Sequence, residues 1–297
     1  MNCVVTIPIY KDVPSRAECA SIRRTFRVLG KHDIVFVTHK GCRLDEYEKL
    51  VRSEQGVMRT EFFDKGYFDS TAHYSDLCFS EEFYLRFAQY EYMLICQPDA
   101  WVFRDELDYW CSLGYDYIGA PIFFPYNKQH FTRIFYGVGN GGFSLRRIAY
   151  CLDIVRSDWN RIYLKPGILA RLYWYGFLYN EDYTKNIFKR MGLLPLFIAK
   201  SFGFRNTIAQ FRKTGCEEDM LFSVWAKNAW GTKCRVPGEI EAAHFSMEVH
   251  PSYLYEKTDH QLPFGCHAFE KWEYESFWKQ HIDLDDVNVQ CSMINVQ

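Results

Sequence analysis

The sequence has 297 residues, of which 48% are hydrophobic and 24% are charged. A chain of this length and composition can bury one large core or two modest ones, and the charged fraction argues against disorder. The formal net charge of −2 gives no overall attraction to nucleic acid, so a nucleic-acid-binding role is not expected.

The cysteine pattern and the hydropathy of the chain indicate the cellular compartment in which the protein is expected. The eleven cysteines are scattered without a C-x-x-C pair, which predicts neither a zinc ribbon nor a compact disulfide framework. The start of the chain, "MNCVVTIPIY", lacks the basic region of a signal peptide, and no apolar run reaches the roughly 20 residues that span a bilayer. These features predict a cytoplasmic protein with buried, reduced thiols.

The first fifty residues alternate between strand and helix patterns. Residues 4–10, "VVTIPIY", predict a buried strand, and Ser15 and Glu18 have the spacing of a capping box at the start of a helix. Residues 33–39 predict a second buried strand and residues 44–51 a second short helix. Because strands and helices alternate, right-handed crossovers and a mainly parallel α/β sheet are expected.

Ligands of open α/β sheets bind beyond the carboxyl ends of the strands, so the residues that follow each apolar run are site candidates. After the three predicted strands, these positions are Tyr10 and Lys11, Thr38 to Lys40, and Gln97 to Asp99. No glycine-rich phosphate loop follows the first strand, which weakens a dehydrogenase or P-loop interpretation.

The middle of the chain has three further features. Residues 74–92 have helical spacing, whereas residues 115–124 and 138–147 read as extended segments, the second with three glycines around Asn140 that allow close backbone approach. Residues 156–213 are rich in basic and aromatic residues. Two interpretations of this segment stay open: a surface that lies on an anionic membrane, or a helical insertion that packs on the sheet.

A third set of candidates lies late in the chain. Residues 215–225 begin a helix with Thr214 and Glu217 in capping-box spacing, and Glu218 and Asp219 fall in its first turn. A helix N-terminus stabilises a carboxylate as the anion, which would keep a general base deprotonated at neutral pH.

Histidines at 244, 250 and 267 are candidate ligands of a divalent cation that also contacts Asp99, because imidazole and carboxylate both suit ions such as Mn²⁺. Any one of these histidines is more often a packed core residue than a ligand.

The order of these parts resembles the GT-A class of nucleotide-sugar glycosyltransferases. "QPD" occupies the place of their D-x-D, and "GNGGFSLR" that of their acceptor-side and donor-sugar loop. "EED" occupies the place of their x-E-D, and His244 that of their C-terminal metal-binding histidine. "YEYMLICQPDAWVF", "YDYIGAPIF", "VGNGGFSLR" and "PFGCHAF" look like a bacterial family of proposed glycosyltransferases from surface-polysaccharide loci, first catalogued as a domain of unknown function.

The resemblance covers most of residues 4–269 and implies one GT-A-like catalytic domain over residues 1–282. That domain would have a Rossmann-type mixed, mainly parallel sheet flanked by helices. A helical basic insertion would occupy residues 156–213, and residues 283–297 would form a C-terminal tail.

The resemblance also implies an activity, the transfer of a sugar from a nucleotide diphosphate donor, with UDP favoured, to a hydroxyl of a glycan or lipid-linked glycan. Asp219 would deprotonate the acceptor in an inverting reaction, and Glu218 would bind sugar hydroxyls. Asp99 and His244 would hold Mn²⁺ or Mg²⁺, with His267 as an alternative metal or substrate ligand. The implied donor-binding residues are Tyr10, Lys11, Thr38, Lys40, Gln97, Asp99, Asn140, Gly141 and Gly142.

One departure from the GT-A pattern leaves metal use open, because Gln97 replaces the first carboxylate of the D-x-D. Without a metal, the leaving group would need cations such as Lys11, Lys40, Arg146 or Arg147.

Two other functions remain alternatives. A sugar nucleotidyltransferase would carry a basic, glycine-rich loop after the first strand, which "PIYKDVPSR" lacks. A non-catalytic module that binds carbohydrate or a nucleotide sugar would explain a lost metal ligand at Gln97.

If the basic insertion over residues 156–213 has a function of its own, it would bring the chain to the inner membrane face, where lipid-linked acceptors are held.

Overall fold

The structure is a computed structural model that describes residues 2–123, 132–156, 217–227 and 233–284, together with six isolated positions between 195 and 212. Most of the predicted basic insertion, most of the predicted tail and the predicted Thr214 cap therefore lie outside the described residues.

Eleven strands occur among the described residues. In chain order they are β1 (Cys3–Pro8), β2 (Asp33–His39), β3 (Thr60–Phe63), β4 (Tyr92–Cys96), β5 (Ala100–Val102), β6 (Tyr117–Ile118), β7 (Ala120–Phe123), β8 (Phe135–Gly139), β9 (Phe143–Arg147), β10 (Ser246–Met247) and β11 (Gly265–His267). Six of them form a central sheet in the order β3-β2-β1-β4-β9-β6. The remaining strands form a three-stranded sheet, β10-β11-β5, and the pair β7-β8.

The central sheet is mixed and mainly parallel, as predicted. β1 pairs in parallel with β2 and β4, and β2 pairs in parallel with β3. β9 runs antiparallel to both β4 and β6. Every residue of β1 and β4 is buried, which is the pattern of strands that are covered on both faces.

Helices cover the two faces of the sheet. They are α1 (Arg16–Leu29), α2 (Asp45–Ser53), α3 (Thr71–Cys78), α4 (Glu81–Leu85), α5 (Leu107–Ser112), α6 (Ile148–Arg156), α7 (Glu239–Phe245) and α8 (Pro251–Lys257), with a π-helix at Met220–Trp225. Alternate residues of β1 enter different cores: Val4 packs with α3, α4, α6 and the π-helix, whereas Val5 packs with α1, α2 and α5. The sheet is therefore the middle layer of three.

Local signals account for where α1 begins. Ser15 Oγ accepts the N–H of Glu18 at 3.2 Å, and Glu18 Oε2 accepts the N–H of Ser15 at 2.7 Å. This is the capping box that the sequence predicts.

The prediction of one helix over residues 74–92 is wrong. The chain forms α3 and α4 instead, and Ser80 separates them, because its side chain accepts the N–H of Phe83 and starts a new helix. The extended segment 115–124 is also divided: β6 belongs to the central sheet and β7 pairs with β8.

The short sheet brings the end of the chain to the central sheet. β5 follows the "QPD" turn and pairs antiparallel with β11, so that Ala100 lies opposite His267. This pairing places His267 beside the turn after β4. No helix within the described ranges is long and apolar enough to span a bilayer.

Candidate functional site

A polar cavity of about 340 Å³ contains most of the predicted site residues. It lies where β4 ends, at the edge of the sheet where ligands of α/β proteins bind. Seven predicted residues line it, namely Gln97, Asn140, Gly141, Gly142, Glu218, Asp219 and His267. With residues of α3, Arg212, Glu248 and Lys271, six segments of the sequence meet in this cavity.

The turn between β8 and β9 forms part of the cavity wall. Asn140 has a left-handed backbone, with φ of 72°, and its side-chain Oδ1 accepts the N–H of Gly142 at 3.0 Å. Asp219 Oδ2 accepts the N–H of Asn140 at 2.7 Å, and the carbonyl of Gly142 accepts the N–H of Gln97 at 2.7 Å. These bonds connect the turn to both the "QPD" and the "EED" segments.

Two glycines of this turn let catalytic candidates approach the backbone. A Cβ atom at Gly141 would lie 2.6 Å from Glu218 Oε1, and one at Gly142 would lie 2.1 Å from His267 Nε2. Both distances are far inside van der Waals contact. The sequence predicts that these glycines let the backbone approach a ligand closely. In the structure, the side chains of Glu218 and His267 make that close approach.

Glu218 is held by a buried ion pair. Arg146 Nη2 donates to Glu218 Oε1 at 2.8 Å, and Ser75 Oγ donates to Oε2 at 2.8 Å. The Arg146 side chain has no exposed surface, and its guanidinium lies 5.4 Å from the centroid of the Tyr117 ring and 5.9 Å from that of Phe222. The carboxylate thus has a permanent cationic partner, and the Arg146 side of the pair is shielded from solvent.

Asp219 accepts two backbone hydrogen bonds. In addition to its bond from Asn140, its Oδ1 accepts the N–H of Met220 at 2.6 Å. The first-turn position alone predicts an ionised group at neutral pH. Burial and the negative charge of Glu218 act in the opposite direction and outweigh these hydrogen bonds, so that the pKa of Asp219 rises to about 8.

His267 lies among polar and acidic groups. Its Nε2 is 3.0 Å from Gln97 Oε1 and 3.2 Å from Asp99 Oδ1, and its Nδ1 is 3.5 Å from Glu248 Oε1. Burial alone would lower the pKa of His267, but Asp99 and Glu248 raise it to about 10. The pKa of Asp99 is lowered in turn, because the charge and hydrogen bond of His267 outweigh the effect of burial.

The predicted metal pair is not brought together as such. The histidine beside Asp99 is His267, whereas His244 lies in the last turn of α7 and its carbonyl accepts the N–H of Phe264. Carboxylate, amide oxygen and imidazole at Asp99, Gln97 and His267 are ligand types that suit Mn²⁺ or Mg²⁺. Across the described ranges, however, no three His, Cys, Asp or Glu residues are grouped as a metal site.

The predicted donor residues at the ends of β1 and β2 have different environments. Tyr10 is half exposed, with Lys11 Nζ 5.2 Å from its ring centroid and 2.8 Å from Glu18 Oε1. Thr38 is fully buried and donates to the Ile9 carbonyl at 2.7 Å, so its hydroxyl is already used within the core.

Lys40, the last of the predicted donor residues, is exposed beside a separate surface depression. His39, Asp64 and Lys65 line the same depression. The structure therefore separates Lys40 from the cavity at the end of β4.

Several lining residues were missed from the sequence. Ser75 and Asp76 of α3 line the cavity, as does Glu248, which follows β10. A serine at position 70 that caps α3 was the available signal, but the polar stretch "STAHYSD" has no strong helical period. Tyr74 of α3 also lines the cavity, whereas Trp101 of β5 packs against Phe269 in the core.

Fold and cavity together define a mixed α/β protein with an acid-rich polar cavity at the carboxyl end of its parallel strands. The chain belongs to the family described as "Protein of unknown function (DUF5672)", whose model matches residues 57–267. No curated protein matches the chain.

Solved structures with detectable similarity include three sugar-transferring enzymes. One is the galactosyltransferase LgtC in complex with donor and acceptor sugar analogues, with 12% identity, a TM-score of 0.43, and coverage of 89% of this chain and 86% of that chain. A second is a glycosyltransferase involved in glycosylation of the major capsid of PBCV-1, with 10% identity, a TM-score of 0.40, and coverage of 97% and 100%.

A third similar structure is core-mannan synthase A from Aspergillus fumigatus in its Mn/GDP form, with 12% identity, a TM-score of 0.37, and coverage of 74% and 71%.

Proposed function

We propose that the chain is a glycosyltransferase that moves a sugar from a nucleotide diphosphate donor to a hydroxyl of a glycan or lipid-linked glycan. The observation that carries the proposal is that Gln97 of "QPD" and all three residues of "EED", which begins 120 residues further along the chain, line one cavity at the end of β4. The motif resemblance favours UDP in the donor and bacterial surface-polysaccharide synthesis as the setting.

In the proposed reaction Asp219 is the general base. The acceptor oxygen forms a bond to the anomeric carbon as the bond from that carbon to the diphosphate oxygen breaks. The hydroxyl proton passes to Asp219, and the nucleoside diphosphate leaves with the electron pair. Each Asp219 oxygen accepts one N–H and so keeps a second lone pair, and a pKa near 8 suits proton transfer close to neutral pH.

The leaving diphosphate needs positive charge near Asp99. Lys11 is one source, because its ammonium interacts with the charge of Asp99 and is held 2.8 Å from Glu18 Oε1. Asp99 and Gln97, with His267 once its imidazole has released its proton, would hold a divalent cation there, and when bound this ion would neutralise the diphosphate. Metal dependence is part of the proposal.

A thermal-shift panel tests the donor site. UDP-, GDP-, dTDP- and CMP-sugars are added to the wild type and to Asp99→Ala, each with and without Mn²⁺. The expected result is stabilisation by one nucleotide class that is lost in Asp99→Ala and kept in a control, Asp153→Ala, on the exposed side of α6. Absence of a shift with every donor would contradict the proposal.

Turnover distinguishes the two alternatives. Donor binding without transfer to any glycan would favour a non-catalytic binding module. Pyrophosphate release from a nucleoside triphosphate and a sugar 1-phosphate would identify a nucleotidyltransferase instead.

A further inference from the structure

Among the residues that the structure describes, three with basic side chains line the cavity at the end of β4, namely Arg212, His267 and Lys271. Two of them are engaged by carboxylates, since Arg212 donates to Asp76 and His267 lies beside Asp99 and Glu248. Lys271 has no carboxylate within ion-pair distance in the described part of the chain. The cavity therefore contains a lysine whose charge is not matched by a neighbouring acid.

The cations that the sequence suggested for the leaving group are placed elsewhere or are already engaged. Arg146 and Arg147 are each paired with a buried carboxylate. Lys40 lies at a separate surface depression, and Lys11 does not line the cavity. A group that leaves from inside the cavity must find its positive charge on another residue.

The main chain of Lys271 is tied to that of Asp99. Ala268 has a left-handed backbone, with φ of 49°, and its N–H donates to the Asp99 carbonyl at 3.0 Å. The N–H of Lys271 donates in turn to the Ala268 carbonyl at 2.9 Å. Lys271 thus lies one tight turn away from the residue beside which the donor diphosphate is proposed to bind.

An aromatic ring restrains the Lys271 side chain, which is otherwise exposed. Its Nζ lies 4.9 Å from the centroid of the Trp272 ring. The ring attracts the ammonium but carries no net charge, so the positive charge stays uncompensated. An ammonium on a flexible four-carbon stem can turn from this position towards an anion in the cavity.

We propose that Lys271 is a catalytic residue that binds the outer phosphate of the donor, the one bonded to the sugar, whereas Lys11 binds the inner phosphate. The reacting carbon must lie beside Asp219, so the phosphate bonded to it shares the cavity that Asp219 and Lys271 line. As the bond from this carbon to the phosphate oxygen breaks, the oxygen takes the electron pair. The Lys271 ammonium donates a hydrogen bond to that oxygen and keeps its proton.

The inference rests on the proposed glycosyl transfer and deepens it by assigning the side chain that meets the charge of the leaving group. The test compares nucleotides that differ by one phosphate. UDP with UMP, GDP with GMP, dTDP with dTMP and CDP with CMP are titrated by calorimetry, in the presence of Mn²⁺, into the wild type and Lys271→Met.

In the best-bound pair, Lys271→Met should weaken binding of the diphosphate by at least about tenfold and that of the monophosphate by less than about twofold, because only the outer phosphate loses a charged donor. Lys11→Met should weaken both. Lys271→Arg should restore most of the loss, because the charge is kept. With the sugar donor of the same nucleotide, Lys271→Met should also lower kcat by about 10².

Lys257→Met is the matched control. Lys257 is also an exposed lysine beside an aromatic ring, with Nζ 5.6 Å from the Tyr253 centroid, but it does not line the cavity. This variant should bind both nucleotides as the wild type does. Thermal unfolding of each variant separates a lost phosphate contact from lost folding.

Three outcomes would overturn the inference: an equal loss for diphosphate and monophosphate in Lys271→Met, no loss for either, or no binding of any nucleotide to the wild type. In the first two cases, turnover of a nucleotide sugar by the wild type would show that the proposed function stands and that the assignment of Lys271 alone fails. In the third case the proposed function fails together with the inference.

Discussion

Asp219 is the residue whose protonation state limits the proposed reaction. A base acts in its deprotonated form, and burial raises the pKa of Asp219 to about 8. We therefore expect kcat/KM to rise with pH and to level off above about pH 8, with roughly a tenth of the plateau value at pH 7. Initial rates between pH 6 and 9 measure this profile.

Replacing the base tests the assignment. Asp219→Asn should lower kcat by about 10² to 10⁴ and remove the rise with pH. Asp153→Asn, an exposed substitution on α6, serves as the control. A variant that keeps the wild-type profile would show that another group takes the proton.

Of the two glycines that line the cavity, Gly142 leaves less room for a side chain than Gly141. A Cβ atom there would lie within 2.5 Å of three atoms of the His267 ring, so the ring must move. Gly142→Ala should cost about 1–3 kcal/mol of unfolding free energy and should also weaken donor binding, because His267 contacts both Gln97 and Asp99. Urea denaturation and thermal shift with donor measure the two effects.

The control for this substitution is Gly238→Ala, whose added Cβ meets no atom within 4 Å. Equal losses of stability at positions 142 and 238 would contradict the steric argument.

At the residue scale, the sequence was informative where a motif had a fixed spacing. Gln97, Asn140, Glu218 and Asp219 were found because short motifs mark them, and all four line the cavity. Arg146 was considered only as a cation for the leaving group, because nothing in its spacing reveals a buried partner 72 residues away.

The ion pair between Arg146 and Glu218 connects β9 to the segment that begins the π-helix. Breaking a buried pair leaves an uncompensated charge, so Arg146→Met alone should destabilise the protein by about 3–5 kcal/mol. The double variant Arg146→Met with Glu218→Leu should recover much of that loss, because it removes both charges. Chemical denaturation of the wild type, both single variants and the double variant completes the cycle.

A control outside the site keeps this cycle interpretable. Arg52→Met breaks an exposed pair with Glu48 on α2 and should change stability by less than about 0.5 kcal/mol. If the double variant proved no more stable than Arg146→Met, loss of packing rather than a stranded charge would explain the cost.

At the element scale, predictions succeeded where one local signal dominates. β2 has the predicted bounds, and the capping box fixes the start of α1. The helix predicted over residues 74–92 failed, because the apolar period continues through Ser80 although a serine side chain there caps a new helix. Hydrophobic spacing reports burial, and it does not report a change of direction between two buried helices.

At the scale of the whole molecule, the strand order follows from the alternation of elements, but the meeting of β5 with β11 does not. That pairing joins residues about 165 apart and places His267, rather than His244, beside Asp99. Tertiary contacts of this length leave no periodic trace in a single sequence, so the choice between the two histidines was open until the fold was known.

Charge is distributed unevenly along the whole chain. Residues 156–213 contain eleven Lys and Arg against three Asp and Glu, a local charge of +8 in a chain whose net charge is −2. Two of these cations, Arg156 and Arg212, are paired with Glu81 and Asp76, and the other nine lie outside the described residues. Because basic residues near an anionic membrane contribute about 1 kcal/mol each, this segment is a candidate membrane-binding surface.

Flotation with liposomes of anionic and of neutral lipid measures that binding. The wild type should float with anionic vesicles at low salt and less so at high salt. Charge reversal at Lys189, Arg190 and Lys200 should reduce binding by at least about a hundredfold, since each removed cation costs about 1 kcal/mol. The matched control reverses Lys31, Lys49 and Lys279, three exposed lysines elsewhere in the fold. Unchanged flotation of the first variant would contradict a membrane-binding role for this segment. Equal loss of flotation in both variants would show that net charge acts non-specifically.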